Sequence, residues 1–498
     1  MATRLIEIVE SLPKARVALI GDLMVDRYLY GNAERLSPEA PVPVLHYQRE
    51  EVRLGGCGSV AADLAALGCN VRLVGLAGND AAGKQLREKL AEAKIDPGLL
   101  VEEEGRPTTC KLRLVGSAQH RHPQQLMRLD FEQTRPAAAA TADKLVENAR
   151  KALESADVLA IEDYNKGTVP PEVLRRLIEI GRNSKKPVIV DPAMVGDYSR
   201  YAGASAIKLN RYEAGKASGL PVETPGQFGP AARKLLEILN VEAVILTLDR
   251  EGAYLAVRGG EDRWLNTKAR QVFDVTGAGD MVLAMTAAAR AVGASWEETV
   301  ALANVAGGLE VERFGSVPVH PDEIIRELLS EVRESLGKQR TLEQLAPELQ
   351  RHRAMGKRVV FTNGCFDLIH LGHVKYFQFA RNQGDLLLVG VNTDASIRRL
   401  KGDSRPIVGE TDRLGVLEEL ESIDYLVTFD QDTPLNLIRM IRPDVLVKGQ
   451  DYEKKDVVGA NEVESWGGKV ALAPLVDGRS TSTMIRRILE VYGGQERK

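Results

Sequence analysis

Short apolar runs of strand length alternate with amphipathic, Ala/Leu/Glu-rich stretches along almost the whole chain. That alternation limits the fold more than any single motif. RVALIG (16–21), VRLVG (71–75), DVLAIED (157–163), PVIVD (187–191), SAIKL (205–209) and AVILTL (243–248) read as strands apolar on both faces. Such strands need cover on both sides, so helices like those expected around SVAADLAALG and PPEVLRRLIEIG must lie over a mainly parallel sheet. From about Pro321 to Gly356 the chain is charged and helical, with no strand candidate. A second series then runs through RVVFT (358–362), DLLLVGV (385–391), DYLVTF (424–429), DVLVK (444–448) and KVALA (469–473). Five strands in about 140 residues suit a small doubly wound domain. The expectation is an α/β chain with domains at 1–335 and 356–498 joined by a helical linker at 336–355. At 498 residues the chain also exceeds what one core usually supports.

Composition narrows the class further. Hydrophobic residues make up 44% of the chain and charged residues 27%, as in globular rather than disordered proteins. A net charge of −4 with 5% aromatics lacks the basic, aromatic-studded face of a nucleic-acid binder. Cys57, Cys69, Cys110 and Cys365 lie far apart and form no CxxC pair, which points away from disulfides or cysteine zinc sites and toward a reducing cytoplasm. The start, MATRLIEIVESLPKARVALIGD, carries Glu7 and Glu10 and has no apolar core like that of a signal peptide. The runs VALIG, VILTL and LLLVGV fall far short of the roughly 20 residues that span a bilayer. A cytoplasmic protein without nucleic-acid or membrane partners is expected.

The strongest chemical signal is Asp274-Val275-Thr276-Gly277-Ala278-Gly279-Asp280, followed by the helical run MVLAMTAAARAVG. Glycines at a helix start leave N–H groups free, and the positive end of the helix dipole adds to them, so the segment is a candidate anion hole. Asp280 falls in the first turn, where a carboxylate can deprotonate a hydroxyl that attacks a phosphoryl group. By itself a GAGD tetrapeptide is more often a glycine turn with an acidic helix start. Its company decides otherwise. GDLMVDRY (21–28), LGGCGSVAADLAALG (54–68), VGLAGNDAAG (74–83), DYNKG (163–167), LNRYE (209–213) and DVTGAGD (274–280) stand in an order and spacing that resembles ribokinase-like carbohydrate kinases over roughly residues 12–330. The resemblance implies Asp280 as catalytic base and Gly277, Ala278 and Gly279 as the anion hole. It puts Asn210 and Glu213 near the phosphates of ATP and Mg²⁺, and Asp26, Gly55 and Gly56 against sugar hydroxyls.

Two look-alikes fail on chemistry. Gly78-Asn79-Asp80-Ala81-Ala82-Gly83-Lys84-Gln85 nearly spells a P-loop, but Gln85 stands where Ser or Thr must hold Mg²⁺. Gly56-Cys57-Gly58-Ser59-Val60-Ala61 mimics a dinucleotide fingerprint, but the preceding REEVRL is too charged for a central buried strand. The chain also departs from the kinases it resembles. Ser59 stands where they usually carry Asn, Ala193 where the closest relatives carry Lys, and Leu209 where Pro often precedes the nucleotide-site Asn. Sugar preference is what these changes touch.

In the second domain Asn363-Gly364-Cys365-Phe366-Asp367-Leu368-Ile369-His370-Leu371-Gly372-His373 follows the strand RVVFT and opens the helix VKYFQFARNQG. Imidazoles at a helix N-terminus can donate to phosphate oxygens. Zinc, the rival reading of an HxxH spacing, lacks nearby carboxylates or cysteines to complete its coordination. Ser480-Thr481-Ser482-Thr483-Met484-Ile485-Arg486 adds hydroxyls at a helix start and an arginine one turn in. HxGH together with STSTxIR resembles the nucleotidylyltransferase superfamily of cytidylyl- and adenylyltransferases over about residues 356–490. That resemblance implies that His370, His373, Ser482, Thr483 and Arg486 contact ATP phosphates, with Lys448 of VKGQDY among the nucleotide or sugar-phosphate contacts. Lys375 and Lys401 are weaker candidates.

A ribokinase-like domain ahead of a smaller Rossmann-like nucleotidylyltransferase domain is a rare pairing. With RLSPEAPVPV (35–44), RLDFE (128–132), LKGDSRP (400–406), QDTP (431–434) and LVKGQDY (446–452), the chain resembles bifunctional heptose 7-phosphate kinase/heptose 1-phosphate adenylyltransferases nearly end to end. The stretch SAQHRHPQQ (117–125) looks longer than theirs. The resemblance implies kinase and adenylyl-transfer steps of ADP-heptose synthesis, with ATP, Mg²⁺ and sugar phosphates, and a homodimer formed through a β-lid near residues 28–48. Two alternatives stay open: the same architecture on another sugar phosphate, or an adenylyltransferase carrying a non-catalytic kinase-like domain.

Overall fold

The structure is a computed structural model that describes residues 2–117, 124–267, 277–313, 315, 317–450, 456–474 and 481–492. The chain divides into two compact units, 1–329 and 330–498.

The first unit contributes β1 (Arg16–Gly21), β2 (Leu23–Leu36), β3 (Pro43–Gly56), β4 (Asn70–Ala77), β5 (Leu100–Glu102), β6 (Thr109–Ser117) and β7 (Gln124–Phe131). It continues with β8 (Val158–Glu162), β9 (Val188–Asp191), β10 (Ala206–Asn210), β11 (Ala243–Thr247), β12 (Ala253–Val257) and β13 (Arg263–Leu265). Nine of these form one sheet in the order β13-β12-β11-β10-β9-β8-β1-β4-β5. Its pairs are parallel except β11 with β12 and β12 with β13. All six expected strands of this unit are present. Alternation along β1 explains why each was a continuous apolar run: Val17 and Leu19 enter the core on one face, Ala18 and Ile20 the core on the other. Helix Ala278–Ala291 is buried from Asp280 through Ala289, which suits its small, apolar composition and carries one carboxylate inside with it.

The remaining strands make a separate four-stranded sheet, β3-β2-β6-β7. Only the resemblance had pointed to this lid. REEVRL falls in β3, so it is a strand, but of the lid and not of the central sheet. Every residue of β7 is exposed.

The second unit holds β14 (Val359–Gly364), β15 (Leu386–Asn392), β16 (Tyr425–Phe429), β17 (Val445–Gly449) and β18 (Lys469–Ala473) in the all-parallel order β16-β15-β14-β17-β18. The segment expected as a connector is part of this unit. Gln339 forms a parallel bridge with Leu426, and the backbone of Lys338 donates to Glu418 at 2.5 Å. Arg340 is buried and pairs with Glu348 at 3.0 Å. Thr341 and Gln344 form a capping box, and the helix Leu342–Ala354 buries Leu345 and Leu349 against Val359 and Phe361. A fragment 330–498 is therefore expected to fold, whereas one starting at residue 341 loses Arg340 and leaves Glu348 buried without its partner. That costs on the order of 3 kcal/mol. Urea unfolding of the two fragments checks this; equal midpoints would contradict it.

Candidate active sites

In the first unit β1 leads to β4 on one side, while β8 starts the series running to the other. The carboxyl ends of these strands bound the crevice where open α/β sheets take ligands. Register sets Gly21, Glu162 and Asp191 side by side at that edge. Asp22 comes next, and its carboxylate accepts N–H groups from Tyr164 (2.9 Å), Lys166 (2.9 Å) and Thr168 (3.1 Å). The loop so pinned delivers the Tyr164 hydroxyl, which donates to Asp280 Oδ1 at 3.0 Å.

Asp280 is positioned by the start of its own helix. Gly277, the N-cap, has φ +95°, a conformation that a side chain would strain. The first ladder bond runs from Met281 N–H to Gly277 C=O at 3.0 Å, which leaves the N–H groups of Ala278, Gly279 and Asp280 outside the ladder. The helix start thus presents the N–H groups of residues 278–280 next to the Asp280 carboxylate, an arrangement that can hold an anion; Asp274 to Thr276 lie outside the described residues. Burial raises the Asp280 pKa to about 6, against the Tyr164 hydrogen bond, the Lys208 charge and the Ser59 hydroxyl. A carboxylate titrating there is ionised at neutral pH yet basic enough to take a proton. Ser59 is buried against it.

Lys208 was not singled out from the sequence. It is a buried lysine opposite Asp191 on β10, and its ammonium bonds the Asp191 carboxylate. A Cβ on Gly279 would stand 3.0 Å from Lys208 Nζ, so this cation abuts the glycine-rich helix start. Burial pushes Asp191 up to about 7 and Glu162 well above the carboxylate range. Burial opposes the charge on Lys208, but Asp191 and Glu162 more than offset it and its pKa is raised. The one available signal was a lysine inside the short buried strand AIKLN.

Asp26, Gly55 and Gly56 stand where the lid meets this site. Asp26 is buried and accepts from Arg113 Nη1 at 2.6 Å. A Cβ on Gly55 would come within 2.7 Å of Asp26 Oδ2, so the backbone must be bare there. Asn210 and Glu213 sit elsewhere on the edge. Glu213 N–H donates to Asn210 Oδ1 at 2.9 Å and Asn210 N–H donates to Glu213 Oε2 at 2.8 Å, a capping box that opens helix Arg211–Ser218. Asn210 borders a cleft of about 740 Å³ with Tyr212, Lys216, Val222 and Asp249.

The second unit repeats the logic on a smaller sheet. β14 and β17 flank its reversal point, and a cleft of about 240 Å³ opens at their ends, lined by Asn363, Phe366, Asp367, His373, Arg405 and Lys448 among others. His370 is the N-cap of helix Leu371–Arg381, and its ring stacks on His373 with centroids 4.1 Å apart. Phe366 meets the His373 ring edge-on at 5.6 Å. Burial, then His370 and Lys401, lowers the His373 pKa to about 4, so the imidazole is neutral at physiological pH and can still donate one N–H. Lys448 Nζ donates to Asn363 Oδ1 at 2.6 Å and bridges the two strand ends. Arg486 is exposed on helix Thr481–Tyr492, while the side chains of Ser482 and Thr483 lie outside the described residues.

Two positioning residues here carried no sequence signal. Asp367 accepts N–H groups from Ile407 (2.8 Å) and Val408 (2.9 Å) and pairs with Arg405. Arg413 is buried and ties Cys365 C=O, Asn392 C=O (2.9 Å) and the Asp394 carboxylate (2.7 Å) together, fixing the loop ahead of the histidines. Among the described residues no three His, Cys, Asp or Glu side chains cluster as a metal cage, and no helix is long and apolar enough to cross a membrane.

Comparison with known proteins gives the family of each unit. The family profile "pfkB family carbohydrate kinase" matches residues 14–323 and "Cytidylyltransferase-like" matches residues 361–488. "Bifunctional protein HldE" of Geobacter sulfurreducens is 45% identical over 475 residues, covering 95% of this chain and 96% of its own. The protein of the same name from Paramagnetospirillum magneticum is 42% identical over 487 residues, 97% of this chain and 98% of its own. Among solved structures, Arabidopsis thaliana ribokinase with ribose and ATP aligns with 63% of this chain and 98% of its own, at TM-score 0.51 and 21% identity. Phosphofructokinase-2 of Escherichia coli in its tetrameric inhibited form aligns with 63% and 99%, at TM-score 0.53 and 19% identity. At those identities the likeness is one of fold.

Proposed function

The chain belongs to the family of bifunctional HldE proteins, with a pfkB-type carbohydrate kinase ahead of a cytidylyltransferase-like nucleotidyltransferase, and from that premise we propose that its two sites serve ADP-heptose synthesis. In the first reaction ATP phosphorylates the anomeric hydroxyl of D-glycero-β-D-manno-heptose 7-phosphate. Asp280 takes the hydroxyl proton as the oxygen attacks the γ-phosphorus, and the free N–H groups of residues 278–280 hold the transferring phosphoryl. Tyr164 and Ser59 orient the carboxylate. Asp26, Gly55 and Gly56 face the sugar. Asn210 and Glu213 stand on the nucleotide side.

The product, a 1,7-bisphosphate, must lose its 7-phosphate to a separate phosphatase before the second reaction. There the heptose 1-phosphate oxygen attacks the α-phosphorus of ATP and expels pyrophosphate. His370 and the neutral His373 donate to the phosphates at the helix start, with Lys448, Ser482, Thr483 and Arg486 as further contacts. Mg²⁺ usually binds through one or two carboxylates plus substrate phosphates, and Glu213 in the first turn of helix Arg211–Ser218 would supply such a carboxylate on the nucleotide side. When bound, it neutralises phosphate charge.

The observation that supports this reading is that each of the two compact units places a candidate phosphate-binding helix start at the carboxyl ends of its own parallel sheet. A panel of sugar phosphates with ATP, reading ADP formation and pyrophosphate release separately, tests it. Failure of heptose 7-phosphate to yield ADP would remove the first assignment.

The reading includes the cytoplasm, which suits four free cysteines, and a homodimer. The lid supports the dimer, because Met127, Leu129 and Phe131 stand exposed along β7 with Tyr47 of β3. Light scattering is expected to give twice the chain mass; a monomer at micromolar concentration would contradict it.

A further inference from the structure

A cavity of about 1170 Å³ in the first unit takes no part in the reactions written above. It lies between helix Pro171–Asn183, which follows β8, and residues 194–202, which follow β9. None of its lining residues is among those that hold Asp280 or face the sugar or the nucleotide. It exceeds the roughly 300–1,000 Å³ of common ligand pockets, so a lone phosphate or monosaccharide leaves it mostly empty.

Three arginines line it, and their charges are poorly met within the protein. Arg175 and Arg182 stand exposed on the helix, two turns apart on one stripe. Among the described residues their side chains make no hydrogen bond or ion pair, although Glu172 and Glu179 share that stripe. Arg200 comes from the opposite wall. Its side chain is 12% exposed, and its Nε is buried without a hydrogen-bond partner among the described residues. Its polar contacts are long: Nη2 donates to Val169 C=O at 3.4 Å and lies 4.0 Å from Asp163 Oδ2. A guanidinium with an orphaned buried N–H is held at a cost that an arriving anion removes.

The rest of the lining describes what that anion carries. Ile178, Met194 and Val195 form an apolar wall, and Glu172 and Glu179 add carboxylates that accept from hydroxyls. Guanidinium groups match a diphosphate, carboxylates match the hydroxyls of ribose and sugar, and the apolar wall matches a base. We propose that this cavity is an effector site for a nucleoside diphosphate sugar, the chemical class that the second unit releases, and that its occupation slows the kinase.

Asp163 joins the cavity to the reacting centre. Its carboxylate accepts Asn165 N–H at 2.7 Å and the Tyr201 hydroxyl at 2.7 Å, with Arg200 as the facing cation. Asn165 lines the cavity and follows Tyr164, whose hydroxyl donates to Asp280 at 3.0 Å. A diphosphate that draws Arg200 away from Asp163 removes the charge that steadies this turn, and the Tyr164–Asp280 contact loosens with it. An effector acts only through unequal affinity for two states; here they differ in whether Arg200 faces Asp163 or the ligand.

The inference rests on the ADP-sugar reading of the second unit, and its test separates the two. ADP formation by the full chain from ATP and heptose 7-phosphate is followed while ADP-heptose is titrated in. Kinase kcat is expected to fall about 5- to 100-fold at saturation, with neither substrate able to relieve the inhibition. Arg175→Ala and Arg182→Ala should keep the uninhibited kcat and both KM values within about threefold. Each should raise the half-inhibiting concentration about tenfold or more. Gly196→Trp gives a second route to the same loss, because a Cβ at Gly196 meets nothing within 4 Å and the ring can fill the cavity. Inhibition that ATP overcomes, or that all three variants leave unchanged, overturns the effector site, as does no inhibition at all. If the second unit makes a different ADP-sugar, the heptose reading falls and the same titration with that sugar decides the cavity; if it makes none, both fall.

Discussion

Asp280→Asn is expected to lower sugar-dependent ADP formation by about 10²–10⁴-fold, the usual loss on removing a general base. Pyrophosphate release by the same protein should be unchanged, because its site lies on a separate sheet in a separate compact unit. Asparagine keeps the shape and the contact with Tyr164 but cannot take a proton. The wild-type pH profile provides an independent check. Burial raises the folded-state pKa of this carboxylate from 3.8 to about 6, so its basic form prevails above pH 6 and is lost below it. Kinase kcat/KM should therefore fall about tenfold per pH unit below roughly pH 6 and level off above. The Asn variant should lose that limb. Kinase turnover near wild type, or a limb unchanged in Asp280→Asn, would remove the carboxylate from the mechanism.

His373→Ala should have the opposite selectivity. Deleting one preorganised donor at a phosphate site costs about 10²–10³-fold in turnover, here read as pyrophosphate release from ATP and heptose 1-phosphate. Kinase activity should be kept. Because the His373 pKa is lowered to about 4, the ring is neutral from pH 6 to 9 and the wild-type rate should show no His373 limb in that range. Phe366 and His370 hold the ring from two sides, so the alanine also loosens His370. Zinc analysis separates this role from metal binding: stoichiometric zinc in the wild type that the variant loses would sink the phosphate-donor assignment.

The parts of this molecule that were readable in advance share one physical property. Strands β1, β4, β8, β9, β10 and β11 and the five strands of the second unit are covered on both faces, so each has to be a continuous apolar run. The glycine-rich helix start at 277–280 and the histidines at 370 and 373 were legible as candidate sites because the chemistry of a helix N-terminus is local. Its N–H groups, its glycine and its carboxylate or imidazole all come from neighbouring residues. The lid was not readable from pattern. Its outer strands β3 and β7 are largely or wholly exposed, so β3 reads as charged and β7 as mixed, without a buried side to impose periodicity. The segment 336–355 reads as a connector because it lacks strand candidates, yet Gln339 and the Arg340 backbone are held by Leu426, and Leu345 by the core of the second unit.

The sequence by itself thus determined the strands of the two parallel-type sheets, their order along the chain and the two candidate anion-binding helix starts, since burial on both faces and helix-end chemistry are written in adjacent residues. Tertiary structure alone decided how those sites are tuned. Asp22 pins the loop that brings Tyr164 to Asp280, and Lys208 reaches the Gly279 backbone from another strand. Lys111 comes down from the lid over the Tyr164 ring, and Arg413 fastens the loop before His370. Each of these contacts joins residues tens to more than a hundred positions apart. Its energy depends on burial and on charges supplied by other elements, and neither is a property of any one stretch of chain.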